Sequence, residues 1–188
     1  MKSENLEAVT THLKKSIDEL ISAGIEDEKI MSRYIEYKVA SELAKKHHTV
    51  QIANERERKS ADIYLPEEKV RVEVKSGKYE GCSCASFGKG KQIDEGKFDY
   101  CVFVPYHDNV LDEFLVFSRE ELADVANRKM KKFARFPTTN PCMLVRCDSY
   151  DDLKSLLDES GERILSVEKE LHMHTERFED RWDKIKGK

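Results

Sequence analysis

Three residues stand at a spacing suited to hydrolytic chemistry on a phosphate: Asp62, Glu73 and Lys75, in the pattern Asp-x10-Glu-Val-Lys. Two carboxylates are hard oxygen ligands. A Mg2+ ion takes near-octahedral oxygen coordination and is commonly held by one or two carboxylates plus waters and substrate oxygens. An ion in such a place polarises a phosphate and lowers the pKa of an attacking water. An ammonium two residues beyond the second carboxylate can position that water or balance the negative charge that develops in the reaction. The bland alternative is a solvated strand face, on which Glu-x-Lys is common.

The elements that must position these groups can be read from local pattern. Ala61-Asp-Ile-Tyr-Leu65, a turn at Pro66-Glu67-Glu68, and Lys69-Val-Arg-Val-Glu-Val-Lys75 together predict a β-hairpin. Val70, Val72 and Val74 alternate with Arg71, Glu73 and Lys75, and successive strand side chains point to opposite faces. One face is purely apolar and belongs against a core. The other carries a cation, a carboxylate and a cation in line. Because a tight turn joins the two arms, Asp62 on the first is expected to converge with Glu73 on the second.

Ahead of the hairpin, Leu6, Val9, Leu13, Ile17, Leu20 and Ile21 recur at helical spacing and Gly24 stops that helix. A second helix is expected from about Glu26 to Lys46, with Met31, Ile35, Val39 and Leu43 along one side, followed by a short strand at 48–53. After the hairpin the residues from Ser76 to Gly90 read as a loop, then a short helix near 91–97. Strands follow at 100–104 and 114–117, then a helix opened by the capping box Ser118-Arg-Glu-Glu121. A turn at 137–141 leads to a last strand at 142–146. A helix starting near Ser149 and a long helix from about Glu162 to Ile185 close the chain. The expected architecture is α/β, a mixed sheet flanked by helices with long helices at both termini.

Asp62, Glu73 and Lys75, with Ser60-Ala61 before and Ser76-Gly77-Lys78 after, resemble the signature of the PD-(D/E)XK, or restriction-endonuclease-like, nucleases; Ala61 stands where that family often has proline. Ser32-Arg-Tyr-Ile-Glu36-Tyr-Lys-Val-Ala-Ser-Glu-Leu43 is similar to the family's helix bearing a glutamate near the metal, without its usual glycine. Helical geometry leaves Glu36 and Glu42 equally placed beside the apolar stripe, and the spacing to Leu43 in the resemblance favours Glu36. A surface glutamate paired with a nearby lysine is the alternative. Ser83 to Gln92, then Phe98 to Phe103, resembles the region after the family's catalytic strand.

The resemblance covers roughly residues 33–104. Few glycines and prolines give little sign of a linker, so one domain over 1–188 is expected, with a helical extension at about 149–188, and the resemblance implies a nuclease catalytic core at about 27–105. It implies hydrolysis of DNA phosphodiester bonds with Mg2+, or Mn2+ as a substitute, held by Asp62, Glu73 and the backbone carbonyl of Val74. Lys75 would be catalytic, with Glu36 and Gln92 assisting, and Lys78, Lys89 and Lys91 would contact phosphates, an ordinary exposed helix residue being the alternative for Gln92. The runner-up is a relative that binds nucleic acid without cutting it. A partner protein assembling through its terminal helices is a third reading.

Composition sets bounds. The chain has 188 residues, 39% hydrophobic and 37% charged, enough for one α/β domain with a real core. A net charge of −4 argues against a general nucleic-acid coat but allows a local basic cleft. No apolar run approaches the length needed to cross a bilayer and Met1-Lys-Ser-Glu-Asn5 opens no signal-peptide core, so no membrane partner and a cytoplasmic location are expected.

The five cysteines read as reduced thiols, and Cys101 as a small core residue alternating with exposed neighbours. Cys82 and Cys84 with Cys142 and Cys147 fit a zinc site poorly. His47, His48 and His107 show no ligand spacing, and His172 and His174 do not share a helix face. The basic run Arg128, Lys129, Lys131, Lys132 and Arg135, interleaved with Phe133 and Phe136, reads either as a grip on nucleic acid or as a solvated helix face. Ile164, Leu171, Phe178 and Ile185 repeat every seven residues. This stripe either packs on the N-terminal helix or forms a seam; the expectation leans to a homodimer on duplex DNA.

Overall fold

The computed structural model describes residues 3–25, 27–46, 49–53, 61–78, 82–86, 95–107, 110–111, 113–122, 143–147 and 181–186; for 82–86 and 143–147 only the backbone is described. Helix α1 spans Ser3–Ser22 and α2 spans Glu28–Ala44. The strands are β1 Gln51–Ile52, β2 Ile63–Leu65, β3 Val70–Lys78, β4 Cys82–Ser86, β5 Tyr100–His107, β6 Val110–Leu111, β7 Leu115–Ser118 and β8 Met143–Cys147.

Helix α1 ends as its glycine dictates. Gly24 takes φ +72°, its N–H donates to the Ile21 carbonyl and the Ile25 N–H reaches back to the Leu20 carbonyl, a Schellman closure. Helix α2 starts at Asp27, whose carboxylate accepts from the N–H groups of Lys29 and Ile30 at 2.9 and 3.2 Å. Replacing this cap, Asp27→Ala, is expected to cost about 1 kcal/mol and to lower Tm by roughly 2–4 °C. Thermal melts of the two proteins check it, and an unchanged Tm would show that the cap is dispensable.

The main sheet runs β1-β2-β3-β5-β6, with β7 also paired to β5. Strands β3 and β5 are parallel and every other pairing is antiparallel, so the sheet is mixed. The hairpin forms with Ile63 opposite Val72, Tyr64 opposite Arg71 and Leu65 opposite Val70, and its turn occupies residues 66–69, where Lys69 takes φ +56°. The expected apolar face of β3 is the one that packs: Val70, Val72 and Val74 join Ile63, Leu65, Val102, Val104 and Val116 beneath Leu6 and Ile17 of α1 and Met31, Ile35, Val39 and Leu43 of α2. The α/β class with helices against a mixed sheet is therefore as expected.

The central strand departs from simple alternation. Cys101, Phe103, Leu115 and Phe117 lie on the opposite face from Val102, Val104 and Val116, yet they are buried too. Cys101 is a core residue as read, but Tyr100 is only half-exposed and Val102 fully buried, because a strand covered on both faces has no wet side.

Two further corrections concern the ends of elements. The stretch 76–90 is not one loop: β3 continues to Lys78, and β4 takes Cys82–Ser86, paired antiparallel with β8. Backbone ladder bonds override the small-residue composition there. The expected long C-terminal helix does not run through residues 181–185. Arg181 is non-helical, and Trp182–Lys184 form one 3-10 turn. Tertiary contacts explain this: the Trp182 ring packs tilted against Phe114 with centroids 5.3 Å apart, Ile185 is buried in the core of its own chain, and the Lys184 ammonium donates to Glu121 at 2.8 Å. Ile185, the last member of the expected dimer stripe, is thus intramolecular core. Ile164, Leu171 and Phe178 lie outside the described residues. The capping box holds as expected, with the Ser118 N–H donating to the Glu121 carboxylate and the Glu121 N–H to the Ser118 hydroxyl.

Candidate active site

Strand alternation builds the site in cross-strand rows. Continuing the hairpin register by one residue sets Asp62 across from Glu73, and β5 places Cys101 on the other flank of Glu73. The Ala53 N–H donates to the Asp62 carbonyl at 2.8 Å, which ties this row to β1. The Asp62 carboxylate accepts the Val74 N–H, also at 2.8 Å, so it is pinned beside the backbone next to Glu73. The Lys75 ammonium donates to Glu73 Oε1 at 2.6 Å, the i,i+2 neighbour on its own strand. Glu36 comes from α2, is 7% exposed, and pairs with the Arg33 guanidinium one helical turn earlier.

The electrostatics are those of crowded carboxylates. Glu73 is 8% exposed. Burial pushes its pKa up, the Asp62 charge pushes in the same direction, Lys75 opposes, and Glu36 adds a smaller upward push. Burial works against the charge of Lys75, but Glu73 more than offsets this and holds the ammonium above its ordinary pKa. Cys101 sits inside the same field. Its thiol is pushed well up by burial first and by the Glu73 charge second, so it is a neutral packing group on the flank of the site.

Among the described residues, no group of three or more His, Cys, Asp and Glu side chains stands together as a ready cation cage. The donor set nevertheless suits a hard divalent ion, because two mutually repelling carboxylates lie next to each other and Mg2+ commonly takes only one or two from the protein. Asp62 and Glu73 are the residues that would hold it.

Of the residues read from sequence, the fold gathers Asp62, Glu73, Val74, Lys75 and Glu36. The choice between the two helix glutamates is resolved in placement: Glu36 is buried and acts on Glu73, whereas Glu42 is directed to Lys45 at 2.7 Å. Lys78 is exposed at the end of β3. Gln92, Lys89, Lys91, Arg128, Lys131 and Lys132 lie outside the described residues, as do His47, His48, His172, His174 and Cys142. His107 is exposed at the end of β5, and the β4–β8 register sets Cys82 opposite Cys147.

Three neighbours of the site escaped sequence reasoning. Arg33 had a signal, its i,i+3 spacing to Glu36. Cys101 had none, since strand pairing across 28 residues decides its position. Asp99 had none either. Its carboxylate accepts both the Arg71 N–H at 2.9 Å and the Arg71 Nε at 3.3 Å, and the Arg71 fork also reaches the Gly96 carbonyl at 2.9 Å. Arg71, on the same face as Glu73 and Lys75, is therefore engaged in tying β3 to the start of β5.

No protein-family model matches the chain, and no curated protein matches it significantly.

Proposed function

We propose that this chain is a metal-dependent endonuclease of the PD-(D/E)XK kind, hydrolysing phosphodiester bonds in duplex DNA. The observation that carries the reading is the convergence of Asp62, Glu73 and Lys75 on one hairpin, with the Lys75 ammonium 2.6 Å from Glu73 and the Asp62 carboxylate pinned to the Val74 N–H. A structural ion pair alone would not call for the additional burial of like charges that raises the Glu73 pKa.

Bound Mg2+, or Mn2+ in its place, would polarise the scissile phosphate and make its water a better nucleophile. The chain's own groups do the rest. Asp62 and Glu73 would hold that ion and through it set where the phosphate sits, Asp62 with its orientation set by the Val74 N–H. Lys75 faces the same point and supplies positive charge as the pentacoordinate phosphorus gains negative charge. Glu36, itself paired with Arg33, adds a smaller negative field at Glu73. Val74 contributes through its backbone N–H to Asp62, and its carbonyl would be a further oxygen ligand for the ion.

Incubation of supercoiled plasmid with the purified chain tests the proposal. Nicked and linear products should form with Mg2+ or Mn2+ and vanish with a chelator. Intact plasmid under all of these conditions would refute it.

A further inference from the structure

The face of the sheet that carries the site is covered at one end and open at the other. On β5 and β7, Cys101, Phe103, Leu115 and Phe117 are buried. On β1, β2 and β3 the same face presents Gln51, exposed; Tyr64, 37% exposed; and Asp62, Arg71 and Lys75, half-exposed. Glu73 lies at the boundary between the two regions. Within the open half, Gln51, Tyr64 and Arg71 form one direct cross-strand row. Two residues along β2, on the same face, is the row of Asp62 and Glu73, a displacement of roughly 6.6–6.8 Å.

Tyr64 is the unusual member of that row. Its strand neighbours Ile63 and Leu65 are fully buried on the far face, so folding is served without a large aromatic on the open side. Arg71 beside it is held by Asp99 and Gly96 and forms a fixed flank. The Gln51 amide on the other flank offers both a donor and an acceptor. An exposed ring with a polar edge on each side is the chemistry that receives an unstacked nucleobase, because stacking on an aromatic face accepts any base.

Resting on the nuclease reading, we propose that Tyr64, flanked by Gln51, is a stacking platform for the base of the nucleotide next to the scissile phosphate. One strand row separates ring from carboxylates, about the span of one extended nucleotide. A base inside an intact duplex cannot reach that ring, since both its faces are already stacked. The substrate class is therefore nucleic acid with an unpaired nucleotide at the cut: a bulge, a mismatch or a single-stranded branch.

Equilibrium binding in Ca2+, with labelled single-stranded DNA, the matching duplex, and that duplex with one central bulged nucleotide, tests the assignment. Wild type should bind the bulged and single-stranded probes more tightly than the perfect duplex. Tyr64→Ala should weaken those two at least about fivefold, the low end of what one base stack contributes, while duplex binding stays within about twofold. Tyr64→Trp should retain wild-type binding. Equal losses on all three probes, or none, would overturn the platform. A wild-type protein that cuts DNA with Mg2+ while Tyr64→Ala binds normally defeats this assignment alone; a wild-type protein that neither binds nor cuts any probe defeats it together with the nuclease reading.

Discussion

Replacing Lys75 with alanine is expected to lower the single-turnover rate of DNA cleavage by about 10²–10⁴-fold while leaving DNA affinity nearly intact. That range is typical for removal of a proton-handling or charge-stabilising group from an active site. The ammonium lies 2.6 Å from Glu73 and only two residues along the same strand, so its removal takes positive charge directly from beside the carboxylate. Lys75→Arg should not rescue the rate. A planar fork presents its donors at fixed angles and cannot reproduce a compact ammonium between a carboxylate and a phosphate. Circular dichroism of each variant separates this from misfolding. Wild-type turnover in Lys75→Ala would remove the residue from the chemistry.

The second large effect has two readouts that move in opposite directions. Glu73→Gln should abolish cleavage, because a neutral amide is a poor partner for a hard divalent cation. The same change should raise the thermal stability of the metal-free protein at neutral pH, by removing a charge that burial first, and repulsion by Asp62 second, make costly. The sign follows from linkage. A carboxyl whose folded pKa lies above its ordinary value of 4.5 contributes stability that is fully present below that value and is lost as pH rises through the raised folded pKa. Wild-type Tm should therefore fall across that window relative to Glu73→Gln. Divalent cation should restore it, by binding the folded state alone. A variant that melts lower than wild type at every pH, and is still active, would contradict both halves.

What was legible in the sequence follows the range of the forces involved. The hairpin, its apolar face and the pairing of Asp62 with Glu73 come from alternation and one short turn, so a handful of adjacent residues encode them. The caps at Gly24, Asp27 and Ser118 are equally local, though the apolar spacing alone starts α2 at about Glu26, two residues before the helix that Asp27 caps. Glu36 could be chosen over Glu42 only through a family resemblance, because the helix alone presents both. Contacts across long separations were invisible. The β4–β8 pair joins residues 57 to 65 apart, and neither Cys101 beside Glu73 nor Asp99 beside Arg71 leaves a trace in local pattern. The C-terminal segment misled for the same reason: its seven-residue period reads as a continuous helix, while Trp182 and Ile185 are drawn into the core as a single tight turn.

The most direct measurement is cleavage of an end-labelled duplex carrying one central bulged nucleotide, by the wild-type chain and by Asp62→Asn, purified side by side and assayed with Mg2+ and with chelator. Parallel purification makes a contaminating nuclease visible, since it would cut equally in both samples. Metal-dependent products from the wild type, absent from Asp62→Asn and from every chelated reaction, are the predicted result. Equal cleavage by the two proteins, or none by either, would contradict a catalytic site built on Asp62, Glu73 and Lys75.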